Sequence, residues 1–118
     1  MINFNIVDVL KEAKVPVYHE HTICDGVELP ALSYKPLTNI PHSSSKEFSY
    51  DRVGYNVSVW ATSSRALNEL AATVDIIMNK HNFTRTGYEE VWLDQKTGRL
   101  SLTYVGLAYN IWRQTNND

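Results

Sequence analysis

Residues 19–25, HEHTICD, bring two histidines, the only cysteine of the chain and two acids into one short stretch. The chemistry such a set could perform is metal binding or thiol catalysis. On a strand, His19 and His21 would share a face, because side chains two apart point the same way. Cys24 could swing back through the following turn as a third ligand and Asp25 as a fourth. All are acceptable zinc donors, yet closed zinc sites carry paired spacings such as C-x2-C or H-x3-H. No such pair occurs here, and no second cysteine or histidine cluster exists to complete a site. The simpler reading is two exposed strand histidines beside a buried cysteine, a residue type among the most often buried. The expectation is no metal, no cofactor and no thiol chemistry.

Other candidate constellations fail on geometry. Glu89 and Glu90 are adjacent on a proposed strand, so they face opposite sides of the sheet and cannot act as a catalytic carboxylate pair. Ser43, Ser44 and Ser45 have no G-x-S-x-G frame to mark a nucleophile. The glycines are scattered singly, so no phosphate-cradling loop is present, and His42 and His81 stand alone in polar surroundings. A catalytic centre is therefore not expected. The aromatics carry more information. Trp60, Trp92 and Trp112 accompany seven tyrosines, and most lie on proposed strands, where aromatics fill cores or pair across strands. Trp60, however, shares its strand face with Asn56 and Ser58 and not with the neighbouring valines. With the valine face turned to the helices, Trp60 falls on the outer face, where an aromatic suits a protein–protein contact.

The elements that must hold these residues fit one domain, since 118 residues leave no room for a second core. With 43% hydrophobic and 20% charged residues, the balance argues against wholesale disorder. A net charge of -2 removes the generic electrostatic case for nucleic-acid binding. It leaves room for a protein that DNA merely passes. A single cysteine cannot form an internal disulfide and suits a reducing compartment. Asp8 and Glu12 interrupt the N-terminal apolar residues, which excludes a signal peptide or membrane span there. These features lead to the expectation of a soluble protein made inside the cell.

Asn5 is placed to cap a short helix bearing Ile6, Val7, Leu10 and Ala13 on one face, and Pro16 stops it. An extended segment from Val15 to about His21 follows, then a turn at Asp25-Gly26 and a second strand over Leu29–Leu37. The stretch 39–52, NIPHSSSKEFSYDR, shows no period and reads as a long, mobile loop. Val53–Ala61 is the clearest strand. The clearest helix follows it, capped by Thr62, Ser63 or Ser64, with an apolar stripe of Leu67, Leu70, Ala71, Val74, Ile77 and Met78. Asn82 suits its C-terminal end. The last third reads as a hairpin, with Thr86–Leu93 and Arg99 to about Ile111 as arms and Asp94–Gly98 as the turn. Leu100, Leu102 and Tyr104 alternate on one face while Val105, Leu107, Tyr109 and Ile111 take the other parity, so Gly106 is expected to mark a bulge or bend. The tail 113–118 is polar and expected to fray. The order helix, strand, strand, long loop, strand, helix, strand, strand implies an α+β domain: a mostly antiparallel sheet with both helices packed on one face.

Four segments carry a resemblance to a known family. LPALSYKPL is similar to its early strand. YNVSVWATSSRALNELAATVDIIMNKHNF resembles its central strand-to-helix unit, and GYEEVWLDQKTGRLSLTYVGLAYN its closing hairpin. NIVDVLKEAKVPVY matches its first helix in position and type. The family is that of the tail-completion, or tail-terminator and tail-to-head joining, proteins of long-tailed bacteriophages, which includes the tail terminator of phage lambda. The likeness spans about residues 3–111, with the segment 39–52 left unaligned.

The resemblance implies a non-enzymatic structural virion protein, made in the cytoplasm of a bacterial host. Such proteins form a homo-oligomeric ring, commonly a hexamer, at the head-proximal end of the tail tube. The ring ends polymerisation of the tube protein and joins the tail to the head-closure or connector protein. DNA passes through its lumen without sequence-specific binding, and no membrane is involved. A cyclic ring needs two different adhesive surfaces on each subunit. The candidates are the outer face around Trp60, the hairpin tip with Asp94, Lys96 and Arg99, and Ser43, Ser44, Ser45, Lys46, Phe48 and Tyr50 of the segment 39–52. Two rivals predict different behaviour. A small dimeric α+β ligand- or peptide-binding module would have a pocket lined by Phe48 and Tyr50, and a metalloenzyme built on His19, His21 and Cys24 would hold stoichiometric zinc.

Overall fold

In the sequence VGYNVSVWA every second side chain is apolar, and a strand sends alternate side chains to opposite faces. The computed structural model, which describes residues 5–20, 27–41 and 50–109, forms that strand and buries Val53, Tyr55, Val57, Val59 and Ala61. It is β3 (Tyr50–Ala61), the middle of a five-stranded sheet. The other strands are β1 (Val17–His19), β2 (Ala31–Pro41), β4 (Phe83–Trp92) and β5 (Gly98–Tyr109), arranged β1-β2-β3-β5-β4. Only the β1–β2 pair is parallel. The fold is thus α+β and mostly antiparallel, as the element order implies.

The helices cover the valine face. α1 (Ile6–Leu10) begins at Asn5, whose Oδ1 accepts hydrogen bonds from the Val7 and Asp8 N–H groups. A single 3-10 turn (Lys11–Ala13) extends it. α2 (Ser64–Lys80) begins at Ser63, whose Oγ accepts from the Ala66 N–H at 3.1 Å. Each cap satisfies amide groups that the first helical turn leaves without partners. α2 buries Leu67, Ala71, Val74, Ile77 and Met78 in one cluster with Leu10, Val57, Val59, Leu100, Leu102 and Tyr104. Asn82, at φ 68°, turns the chain out of α2 directly into β4. Because β3 and β4 both run antiparallel to β5, they share a direction and α2 is the crossover between them.

Two expectations need correction. The segment 39–52 is not loop throughout. Asn39 pairs with Val53, Ile40 with Arg52 and Pro41 with Asp51, so β2 and β3 consume both its ends. Lys35 to Ile40 is exposed on both faces, so no alternation marks the strand; backbone pairing alone makes it one. Gly106 is not a bulge. It continues the register with β3, opposite Val53. A Cβ there would come within 2.7 Å of Phe83 Cδ1, so the glycine makes room for that buried ring. Val105 and Leu107 simply occupy the other face, with Leu107 exposed. The register shifts of the sheet lie instead at Pro36/Thr38 and Arg85/Gly87.

Candidate functional site

Among the described residues one face of the sheet carries no helix, and its centre is a polar network. Ser33, Asn56, Ser58, Trp60, Arg99, Ser101 and Thr103 reach it because the ladders align their positions across β2, β3 and β5. Asn56 Nδ2 donates to Ser101 Oγ at 2.7 Å, and Ser58 Oγ donates to Asn56 Oδ1 at 3.2 Å. Arg99 Nε donates to Ser58 Oγ at 3.0 Å, while its other end pairs with the Glu20 carboxylate. The Arg99 guanidinium also lies over the Trp60 ring, 5.1 Å from its centroid. Trp60 Nε1 donates to Ser33 Oγ at 2.9 Å.

Trp60 therefore stands on the open face, where its parity puts it, but it is mostly buried beneath Arg99 and not a free aromatic. Ser33 and Ser58 are fully buried under these larger side chains. Their hydroxyls are bonded, which removes the penalty of burying a polar group. This centre is chemically saturated and acts as a rigid platform.

Exposed apolar side chains lie at the sheet margins and, as Ile76, on α2. Leu37, Ile40 and Leu107 are exposed at one end of β2 and β5, and Val91, Trp92 and Leu93 at the β4–β5 tip. The tip is ordered by Leu93 N–H donating to the Thr97 carbonyl at 2.9 Å and by Asp94 Oδ1 accepting from the Lys96 N–H at 2.7 Å. Asp94 and Lys96 are exposed there. The Trp92 ring lies over Gly98, where a Cβ would meet it at 3.0 Å, and its Nε1 donates to Glu90 at 2.9 Å. Glu89 pairs with Ser101 on the open face and Glu90 with Leu100 on the helix face, so the two carboxylates diverge.

A cleft of about 390 Å³ between α2 and β4 is lined by Asn68, Asp75, Arg85, Tyr88 and neighbouring apolar residues. The buried Tyr104 hydroxyl donates to Asp75 Oδ1 at 2.7 Å, and Arg85 Nε is 3.8 Å from the same oxygen. Burial, then the bond to Asp75, pushes the Tyr104 hydroxyl far above its usual value. Sequence reading did not single out this group, because its members come from three separate elements.

His19 packs edge-on against Tyr34, with ring centroids 5.0 Å apart. Among the described residues no three His, Cys, Asp or Glu side chains converge as a metal ion requires. His21, Cys24, Asp25 and His42 lie outside the described residues. So do Ser43, Ser44, Ser45, Lys46 and Phe48, the side chain of Tyr50, and the tail 113–118. The backbone of Tyr50 opens β3 opposite Tyr109.

The fold and surface together define a class: a helix-backed, mostly antiparallel sheet with a saturated open face and apolar margins. No protein-family model matches the sequence, and no characterised protein matches it by sequence. Among solved structures, the chain is similar to one from the virion of a native gene transfer agent particle, with a TM-score of 0.51 and 15% identity. The match covers 86% of this chain and 84% of that one, and at this identity it shows a shared fold.

Proposed function

We propose that this chain is a structural, non-enzymatic protein of a tailed-phage-like virion. In this reading it sits at the head-proximal end of the tail, where it forms a ring that ends tube growth and receives the head-closure protein. The observation that carries the reading is the shared fold with a virion chain over nearly the full length of both. The tail-terminator resemblance of the sequence supports the finer role. The surface agrees with it: side chains at the centre of the open face bind one another, and exposed apolar side chains at the sheet margins and at Ile76 on α2 are available to protein partners. A mildly acidic ring would let DNA slide past without holding it.

The test is addition of the purified protein to polymerising tail tubes from the same virus. Capped tubes of shorter length, with the protein at one end, support the reading. Tubes that grow unchanged and carry no bound protein at either end overturn it.

A further inference from the structure

The β4–β5 hairpin leaves a row of backbone groups facing outward. Leu93 N–H donates to the Thr97 carbonyl, and this bond fixes the phase of the ladder, because hydrogen-bonded pairs of an antiparallel sheet recur at every second residue. Val91 and Glu89 therefore turn their N–H and carbonyl groups toward Arg99 and Ser101 of β5. Trp92, Glu90 and Tyr88 turn theirs away from β5, and among the described residues no strand lies on that side. Every residue from Tyr88 to Trp92 is exposed. The side chains of Tyr88, Glu90 and Trp92 share the helix face, opposite Leu102, Leu100 and Gly98. Tyr88 is 69% exposed and Trp92 39%. Glu90 stands between them and accepts from Trp92 Nε1 through one carboxylate oxygen. The edge thus presents aromatic, acid and aromatic at alternate positions. The register shift between Arg85 and Gly87 interrupts the first half of β4 and confines the regular edge to Tyr88–Trp92.

We propose that this edge takes up an extended segment of another protein as an added strand, and that the segment carries a lysine or arginine between two apolar residues at alternate positions. The outward N–H and carbonyl groups of Tyr88, Glu90 and Trp92 bond the backbone of the added strand. Its two apolar side chains cover the aromatics, and its cation meets Glu90. Strand edges that only avoid pairing are commonly blunted with proline or lysine, and β4 contains neither. A second copy of this chain fits poorly. An antiparallel β4–β4 contact that sets Tyr88 against Trp92 also sets Glu90 against Glu90, and like charges directly opposite repel. The other stretch of strand beyond its described neighbour, 35–41 of β2, contains Pro36 and Pro41, which have no N–H to donate. Strand uptake at this edge is independent of the virion role, which stands or falls by the capping of tubes.

The probe is a capped seven-residue peptide in which threonine alternates with valine, lysine and valine; its control has glutamate in place of the lysine. Amide hydrogen exchange of the full chain, followed residue by residue by NMR, reads the contact. In the free chain the Glu89 and Val91 amides should exchange slowly and those of Tyr88, Glu90 and Trp92 fast. Near saturation the lysine peptide should slow these three by about tenfold, and the glutamate peptide should bind more weakly. Glu90→Lys should reverse the preference between the two peptides, a gain that a misfolded variant cannot give. Glu90→Pro removes an N–H that faces away from β5 and so spares the β4–β5 ladder; it should weaken binding of the lysine peptide by about tenfold. No protection by the lysine peptide overturns the proposal, as does an unchanged preference in Glu90→Lys. Slow exchange of Tyr88, Glu90 and Trp92 without peptide, at concentrations where light scattering shows association, also overturns it, because a second copy then covers the edge.

Discussion

Replacing Trp60 with alanine separates a structural role for this residue from a purely adhesive one. The substitution removes the Nε1–H bond to Ser33 Oγ, the stacking of Arg99, and the burial of most of a large ring. A hydrogen bond of this kind contributes about 1 kcal/mol net. A partly exposed cation–π contact contributes about 0.5–1 kcal/mol. Losing the burial of a mostly buried tryptophan adds about 2 kcal/mol, below the figure for a fully buried one. The expected destabilisation is thus about 3–4 kcal/mol. Trp60→Phe keeps a six-membered aromatic ring but loses the N–H bond and part of the indole's buried surface, so it should cost about 1–2 kcal/mol. Urea unfolding of both variants, with Arg99→Ala and the double variant to complete a cycle, measures these terms. The cycle should show about 0.5–1 kcal/mol of coupling between Trp60 and Arg99. A Trp60→Ala variant as stable as the wild type, with no coupling to Arg99, would refute the account of the open face as a bonded platform.

Gly106→Ala should destabilise by about 1–3 kcal/mol, because the new methyl group meets the buried Phe83 ring and the Asn82 carbonyl oxygen, and the latter is backbone; equilibrium unfolding checks this, and a neutral result would mean that the Phe83 ring can move aside. Ser63→Ala should cost about 1 kcal/mol by freeing the Ala66 N–H at the start of α2, whereas Ser64→Ala should change little; paired melting curves distinguish them. The hydrogen bond from Lys80, then that from His81, holds the Glu12 carboxyl below its ordinary value of 4.5. A carboxylate with a lowered folded pKa contributes stability above the unfolded value and loses it as pH falls through the folded one. Stability should therefore decline more steeply below pH 4.5 in the wild type than in Glu12→Gln, measured by urea midpoint against pH.

Local signals accounted for much of the architecture. The alternation in Val53–Ala61 marks β3 and its buried side, and the spacing from Leu67 to Met78 marks α2 and the face it presents to the sheet. Asn5, the run Thr62–Ser64 and Asn82 mark helix ends because capping and the left-handed turn depend on a residue's own side chain and backbone freedom; the structure selects Ser63 from that run. The side of the sheet on which Trp60 lies follows from parity alone, as does the divergence of Glu89 and Glu90.

What needed the tertiary structure is whatever depends on residues distant in sequence. Lys35–Ile40 carries no strand period, and only its partners on β3 make it one. Gly106 looked like a break in alternation until the ring it accommodates, Phe83, came across from β4. Trp60 changed from a bare aromatic to the floor beneath Arg99, and Arg99 from a candidate contact residue at the start of a hairpin arm to the link between Trp60, Ser58 and Glu20. The sequence by itself determined β3, α2 and their inward faces, since these follow from short-range periodicity and spacing. The tertiary structure alone decided the strand order and which side chains saturate one another, because cross-strand neighbours arise only when the chain closes on itself.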